Sequence, residues 1–277
     1  RGFFLKTYMY KVIILTIILL GLLSACKQHH VKLTNAQDSL QYVNTLLQKQ
    51  PNHISYLLQR AKLYQKLNTI DSAILNYSKV LLLDSTQLDA LLPLSDLYFI
   101  QGQWQHTINL LNKTHQLHPN NTEALTKLAE AYFYLQNYNN SFTHLEKTLQ
   151  LDRFNPRAYF ILAMCYKELG DTAKAIANFE RVIQQDATHY HSFIQLGLLH
   201  TARGNPTLAE GHLKNALQLS PQSTEALYAL GVLYQNNNKI EQAMDIYHTI
   251  LQIQPQHTNA HYNLGYLYLV EENNAAK

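Results

Sequence analysis

Residues 224–257 read TEALYALGVLYQNNNKIEQAMDIYHTILQIQPQH. Two apolar stripes at helical spacing run through this stretch, which predicts a pair of helices rather than strands. Stepping outward by 34 residues reproduces its landmarks. From Tyr234 the steps reach Tyr64, Tyr98, Tyr132, Tyr166, His200 and Tyr268, so six of seven positions are tyrosine in a chain with 19 tyrosines among 277 residues. A fixed period of this length marks a repeat architecture. Three positions upstream stand Ala61, Ser95, Ala129, Ala163, Gly197, Gly231 and Gly265, all small. Nine positions downstream stand Ala73, Thr107, Ser141, Ala175, Ala209 and Ala243, small again. Pro51, Pro119, Pro221 and Pro255 keep the same register.

Leu230-Gly231, Tyr234, Ala243, Tyr247 and Pro255 together resemble the tetratricopeptide repeat, a 34-residue pair of antiparallel helices A and B. The resemblance implies an all-α fold, a right-handed superhelix (α-solenoid) of helix pairs. Six units follow in phase over 54–257, a lone B-like helix occupies 38–53, and a seventh unit starts at 258 and runs to 277. Small residues let helices A and B approach closely, and the tyrosine column fills space between units. The second small position of helix B departs from the family, holding Val80, Thr114, Thr148, Val182, Ala216 and Ile250. Pro93 falls inside an A helix and should delete one backbone bond, which predicts a late helix start at Asp89, with a local kink as the second account. Helix A at 259–270 has an apolar side that needs cover, so the sequence predicts that the natural chain continues beyond Lys277.

The N-terminus predicts an address. Val12–Leu23 is a twelve-residue uncharged run, short for a membrane span of about 20 residues but suited to a signal peptide. Leu23-Ser24-Ala25-Cys26 resembles the lipobox of bacterial lipoproteins, which implies cleavage after residue 25 and covalent lipid on Cys26. Residues 1–25 then form the signal, with Met9 as the expected initiator, and 26–37 a short tether. Lys27 follows the lipidated position; in relatives an Asp there retains the protein at the inner membrane, so the resemblance implies the outer membrane, facing the periplasm.

Composition narrows the function. Charged residues make up 15% of the chain, against roughly 25% in an average soluble domain. Net charge is +3, and Arg1, Lys6 and Lys11 all precede the apolar run, so the remainder is balanced and offers nothing to nucleic acid. Nine glycines and seven prolines argue against a many-stranded β fold. No phosphate loop, nucleophile elbow or HExxH is present, and no catalytic residue is assigned. Fourteen histidines raise the question of a metal. The nearest sets are His189/His191, His115/His118 and His257/His261; the first lies in an inter-repeat turn with no nearby Cys or Glu to complete a tetrahedral site, and neither metal nor other cofactor is expected apart from the lipid. His200 replaces a tyrosine and predicts a hydrogen-bonded core residue. Cys165 stands in an apolar column and predicts an inert one.

Binding is what remains. Family offsets for the concave groove select Leu92, Phe99, Ile100, Phe133, Tyr134, Phe160, Met164, Ile194, Leu198, Tyr228, Val232, Tyr262 and Tyr266. A largely apolar and aromatic wall of this kind marks a partner surface. The resemblance implies a membrane-anchored scaffold that docks an apolar or amphipathic segment of an envelope protein. A pilotin-like assembly factor for a pilus or secretion channel, and an adaptor for peptidoglycan enzymes, are narrower alternatives. The competing reading is that these faces are buried by tight superhelical coiling or by self-association.

Overall fold

A computed structural model describes residues 35–275. The signal segment, most of the tether and Cys26 lie outside the described residues. Fourteen helices and no strand occur among the described residues. A-type helices are α2 (Ile54–Lys66), α4 (Leu88–Ile100), α6 (Thr122–Tyr134), α8 (Pro156–Glu168), α10 (Tyr190–Ala202), α12 (Thr224–Asn236) and α14 (Thr258–Ala275). B-type helices are α1 (Ala36–Lys49), α3 (Ile70–Leu83), α5 (Trp104–Leu117), α7 (Tyr138–Leu151), α9 (Thr172–Gln185), α11 (Pro206–Leu219) and α13 (Ile240–Ile253). Both sets begin at intervals of 34 residues. The fold is an all-α tetratricopeptide-repeat solenoid.

Two compact units divide the chain at Asn76/Tyr77. The first comprises α1, α2 and the start of α3. In it, Arg60 donates to Asn76 and Asn44 (2.7 and 3.1 Å) and ties α2 to both neighbouring helices. α1 starts at Ala36, two residues inside the stretch read as tether. The reason is local: Asn35 Oδ1 accepts from Asp38 N at 2.8 Å and caps the first turn.

The second unit is built on columns. Tyr77, Leu111, Leu145, Phe179, Leu213 and Tyr247, one per B helix, are fully buried. So are Val80, Thr114, Thr148, Val182, Ala216 and Ile250, the column that departs from the family. Each of these last six also accepts the backbone N–H that ends its helix, at 2.7–2.9 Å. Polar members of the small columns are satisfied inside the hairpin. Thr107 Oγ1 donates to the Ser95 carbonyl (3.3 Å), and Ser141 Oγ donates to that of Ala129 (2.8 Å). A hydroxyl can therefore replace a methyl at helix contact without leaving an unpaired group.

The A-to-B turns share one device. Asn68, Gly102, Gln136, Gly170, Gly204 and Asn238 all have positive φ (56–78°). The next residue's N–H reaches back to the carbonyl of the tyrosine column at 2.8–2.9 Å in all six turns. This Schellman closure satisfies carbonyls left over at the helix end. Only Gly, and next Asn, enters that region cheaply, which leaves Gln136 as the strained member.

Pro93 does not delay its helix. α4 begins at Leu88, one turn and more before the proline, and continues through it. The cost is one missing backbone bond, offset by the burial of Ala90, Leu91, Leu94 and Leu97 on the same helix.

Candidate functional site

Successive A helices of the second unit touch, α6 with α8 and α10 with α12, so their side chains form one face. The thirteen sequence-selected residues divide there by exposure. Ile100 (73% exposed), Tyr134 (50%), Leu198 (38%), Tyr262 (75%) and Tyr266 (51%) are open to solvent. Leu92, Phe99, Phe133, Phe160, Met164, Tyr228 and Val232 are half-buried. All of these but Val232 pack against core clusters. Ile194 is a correction. It is fully buried with Phe193, Ala216 and Ala226, because α11 and α12 close over that side of α10.

Two features stand out on the face. One is a ring cluster from consecutive repeats. Trp104 stacks on Tyr134 with centroids 4.7 Å apart and planes 5° from parallel. Phe99 meets both edge-on, at 4.9 and 5.5 Å. Phe133 meets Tyr134 at 5.5 Å and Tyr138 at 6.1 Å. Such pairs contribute about 0.5–1.5 kcal/mol each beyond their burial, so the cluster helps to hold the two repeats together. Trp104 and Tyr138 were missed by sequence reasoning. They open B helices, whereas the family offsets address helix A; being the chain's one tryptophan was the only signal at Trp104.

The other is a cavity of ≈ 390 Å³. Leu198 from α10 and Tyr228, Ala229 and Val232 from α12 line it, with His257 and Glu225 at its polar edge. Tyr228 is fixed from behind: its ring lies 5.5 Å from that of His257, and Asn263 Nδ2 donates to its Oη at 3.3 Å. The same amide donates to Tyr247 Oη (3.0 Å), which donates to Gln235 (2.9 Å). Burial pushes the Tyr247 phenol up to about 12, so it stays neutral.

Histidines have structural roles. His189 Nδ1 accepts from Ser192 N (3.3 Å) and His257 Nδ1 from Ala260 N (3.1 Å). Both occupy the A-helix cap position that Asn121 and Asn155 fill in other repeats, where side-chain oxygens accept at 2.9 Å. His200 is buried and stacked on His212 (5.5 Å, planes 10° apart), but the hydrogen bond expected of it fails at Nδ1, which is buried without a partner, as is Nδ1 of His212. Among the described residues no three His, Cys, Asp or Glu side chains converge on a common point. Cys165 is fully buried beside Ser141, and burial raises its thiol pKa, which disfavours the reactive thiolate.

Ion pairs link neighbouring repeats, two of them between successive A helices. Lys127 sits between Asp96 and Glu123, at 2.7 Å from each. Glu210 binds Lys214, Lys239 and the Tyr234 hydroxyl, and these donors hold its carboxyl down at about 2. Arg157 pairs with Glu130.

Known proteins can be set against this geometry. Tetratricopeptide-repeat family models match residues 120–188 and 200–264. A model described as anaphase-promoting complex, cyclosome, subunit 3 matches 66–148. No curated protein matches the sequence. Among solved structures, the APC/C hetero-tetramer Cut9–Hcn1 is similar with TM-score 0.69 at 18% identity, over 83% of this chain and 46% of that one. This chain therefore spans less than half the length of that relative. A tetratricopeptide repeat protein from Parabacteroides merdae has TM-score 0.67 at 16% identity, over 84% of this chain and 92% of that one. The C-terminal part of a repeat-containing protein from Cytophaga hutchinsonii has TM-score 0.60 at 16% identity, over 83% and 95%. At these identities the likeness speaks to fold alone. Period, helix pairing, family models and structural neighbours agree, and the chain has the tetratricopeptide-repeat fold.

Proposed function

We propose that this chain is an interaction scaffold of the bacterial envelope, anchored through lipid on Cys26, whose A-helix face docks an apolar or amphipathic segment of a partner protein. Tetratricopeptide proteins bind peptides or proteins, and a binding role rather than a catalytic one suits the side chains present. The carrying observation is the exposure of Ile100, Tyr134, Leu198, Tyr262 and Tyr266 along one run of A helices, with a cavity at Tyr228. Exposed apolar surface of this extent marks partner sites. Glu225 at the cavity edge favours a segment that carries a cation beside its apolar residue. Lipobox and Lys27 support an outer-membrane position facing the periplasm.

In-cell photo-crosslinking from Tyr134 and Tyr228, followed by mass spectrometry, tests the reading. One dominant envelope partner is expected, and its identity separates assembly of a pilus or secretion channel from peptidoglycan-enzyme adaptation. Crosslinks confined to copies of this chain would replace the scaffold with self-assembly.

A further inference from the structure

Charge is distributed unevenly along the chain. Residues 26–76 hold six Lys and Arg against two Asp and Glu, a net +4, while residues 77–277 hold thirteen against seventeen, a net −4. The basic end is the one next to Cys26. Within it, α2 places Lys62 and Lys66 one turn apart on the same side, both exposed, with Leu63 between them. Tyr42, 43% exposed, and Val43 face them from α1 across an open groove of ≈ 500 Å³. Neither lysine has an ion-pair partner among the described residues. The two carboxylates of the basic end, Asp38 and Asp71, sit in the first turns of α1 and α3.

We propose that the α1–α2 face is a second membrane contact, made with anionic phospholipid. The inference rests on the reading of Cys26 as lipidated. Ten residue steps separate Cys26 from Ala36, so a lipid there holds α1 within about 35 Å of the bilayer. The tether permits that approach, and within the last ~8 Å at physiological salt a net positive unit is drawn onto an anionic leaflet. Lysine stems lie along apolar surface while their ammonium groups reach phosphates, and a tyrosine ring suits headgroup depth. Groove and cations thus fit one surface. A soluble acidic peptide would use the cations but would not need the neighbouring anchor.

The full chain, isolated with its native modification, is reconstituted in vesicles of phosphatidylcholine alone or enriched in phosphatidylglycerol. Amine acetylation is then read residue by residue by mass spectrometry, and the mass of the peptide beginning at Cys26 reports the anchor. Labelling of Lys62 and Lys66 is expected to fall about threefold in the anionic vesicles and to recover at high salt, with Lys113 and Lys167 unchanged. Equal labelling in both vesicles overturns the contact. Acyl mass without protection overturns the contact and leaves the anchor standing, whereas protection without acyl mass supports the contact and removes the anchor.

Discussion

Helices α12 and α14 occupy the same register and carry related sequences, LYALGVLY over 227–234 and HYNLGYLY over 261–268, yet their surroundings differ. In α12, Tyr234 is 5% exposed; its counterpart Tyr268 is 48% exposed. A Cβ on Gly231 would stand 2.7 Å from the Tyr247 ring of α13, whereas one on Gly265 would meet nothing within 4 Å. On α12 the contact comes from α13, whose Tyr247 ring Gly231 meets. In a repeat protein the same letters are core or surface according to the neighbour they meet, and stability resides in interfaces between helices more than within them.

The largest effect is expected at the packed centre of the α12–α13 hairpin. Tyr247→Ala should cost about 3–5 kcal/mol, because a fully buried ring and its bonds to Gln235 and Asn263 are lost together. Tyr262→Ala, on the exposed side of α14, should stay within about 0.5 kcal/mol. Denaturant unfolding of both variants measures the contrast, and equal effects would show that α14 is covered. The paired glycines come next. Gly231→Ala should destabilise by about 1–3 kcal/mol through overpacking against Tyr247, while Gly265→Ala should stabilise by up to about 1 kcal/mol through helix propensity. A shared sign would refute the account of the register.

Acid sharpens the comparison between α10–α11 and α12–α13. His200 takes the place of Tyr234, and burial lowers the pKa of His200; Glu180 opposes that shift and Arg203 adds to it. Burial, then the neighbouring His200, lowers that of His212. Between these depressed values and the ordinary 6.5 the unfolded chain binds more protons than the folded one. Stability is therefore full above 6.5 and is lost as pH falls through the folded values. Hydrogen exchange should show the α10–α11 hairpin loosening on acidification before α12–α13, and His200→Tyr should remove most of the difference. Turns give the smallest effect. Gln136→Gly should stabilise by roughly 1 kcal/mol by relieving positive φ, whereas Asn238→Gly should change little. Thermal melts of the two variants measure it.

These contrasts also explain what was legible in the sequence. Period, small columns and the Tyr column are each a direct imprint of helix contact, and the helices fall where that register puts them. Pro93 misled because local propensity was weighed without the burial that carries α4 through it. Ile194 misled because family offsets treat every A helix alike, whereas burial depends on the particular residues of α11 and α12. Caps at His189 and His257 were hidden because imidazole is an uncommon cap, and only its fixed place in the repeat discloses the role. Trp104 was hidden because its ring cluster assembles from two repeats.

The docking face is tested most directly by Ile100→Ser, Leu198→Ser and Tyr262→Ser combined, read by photo-crosslinking from Tyr134 and by the unfolding midpoint. All three side chains are exposed, so the midpoint should hold. The account predicts loss of the crosslinked partner by a protein that is still folded. Undiminished capture by the folded triple variant would contradict it.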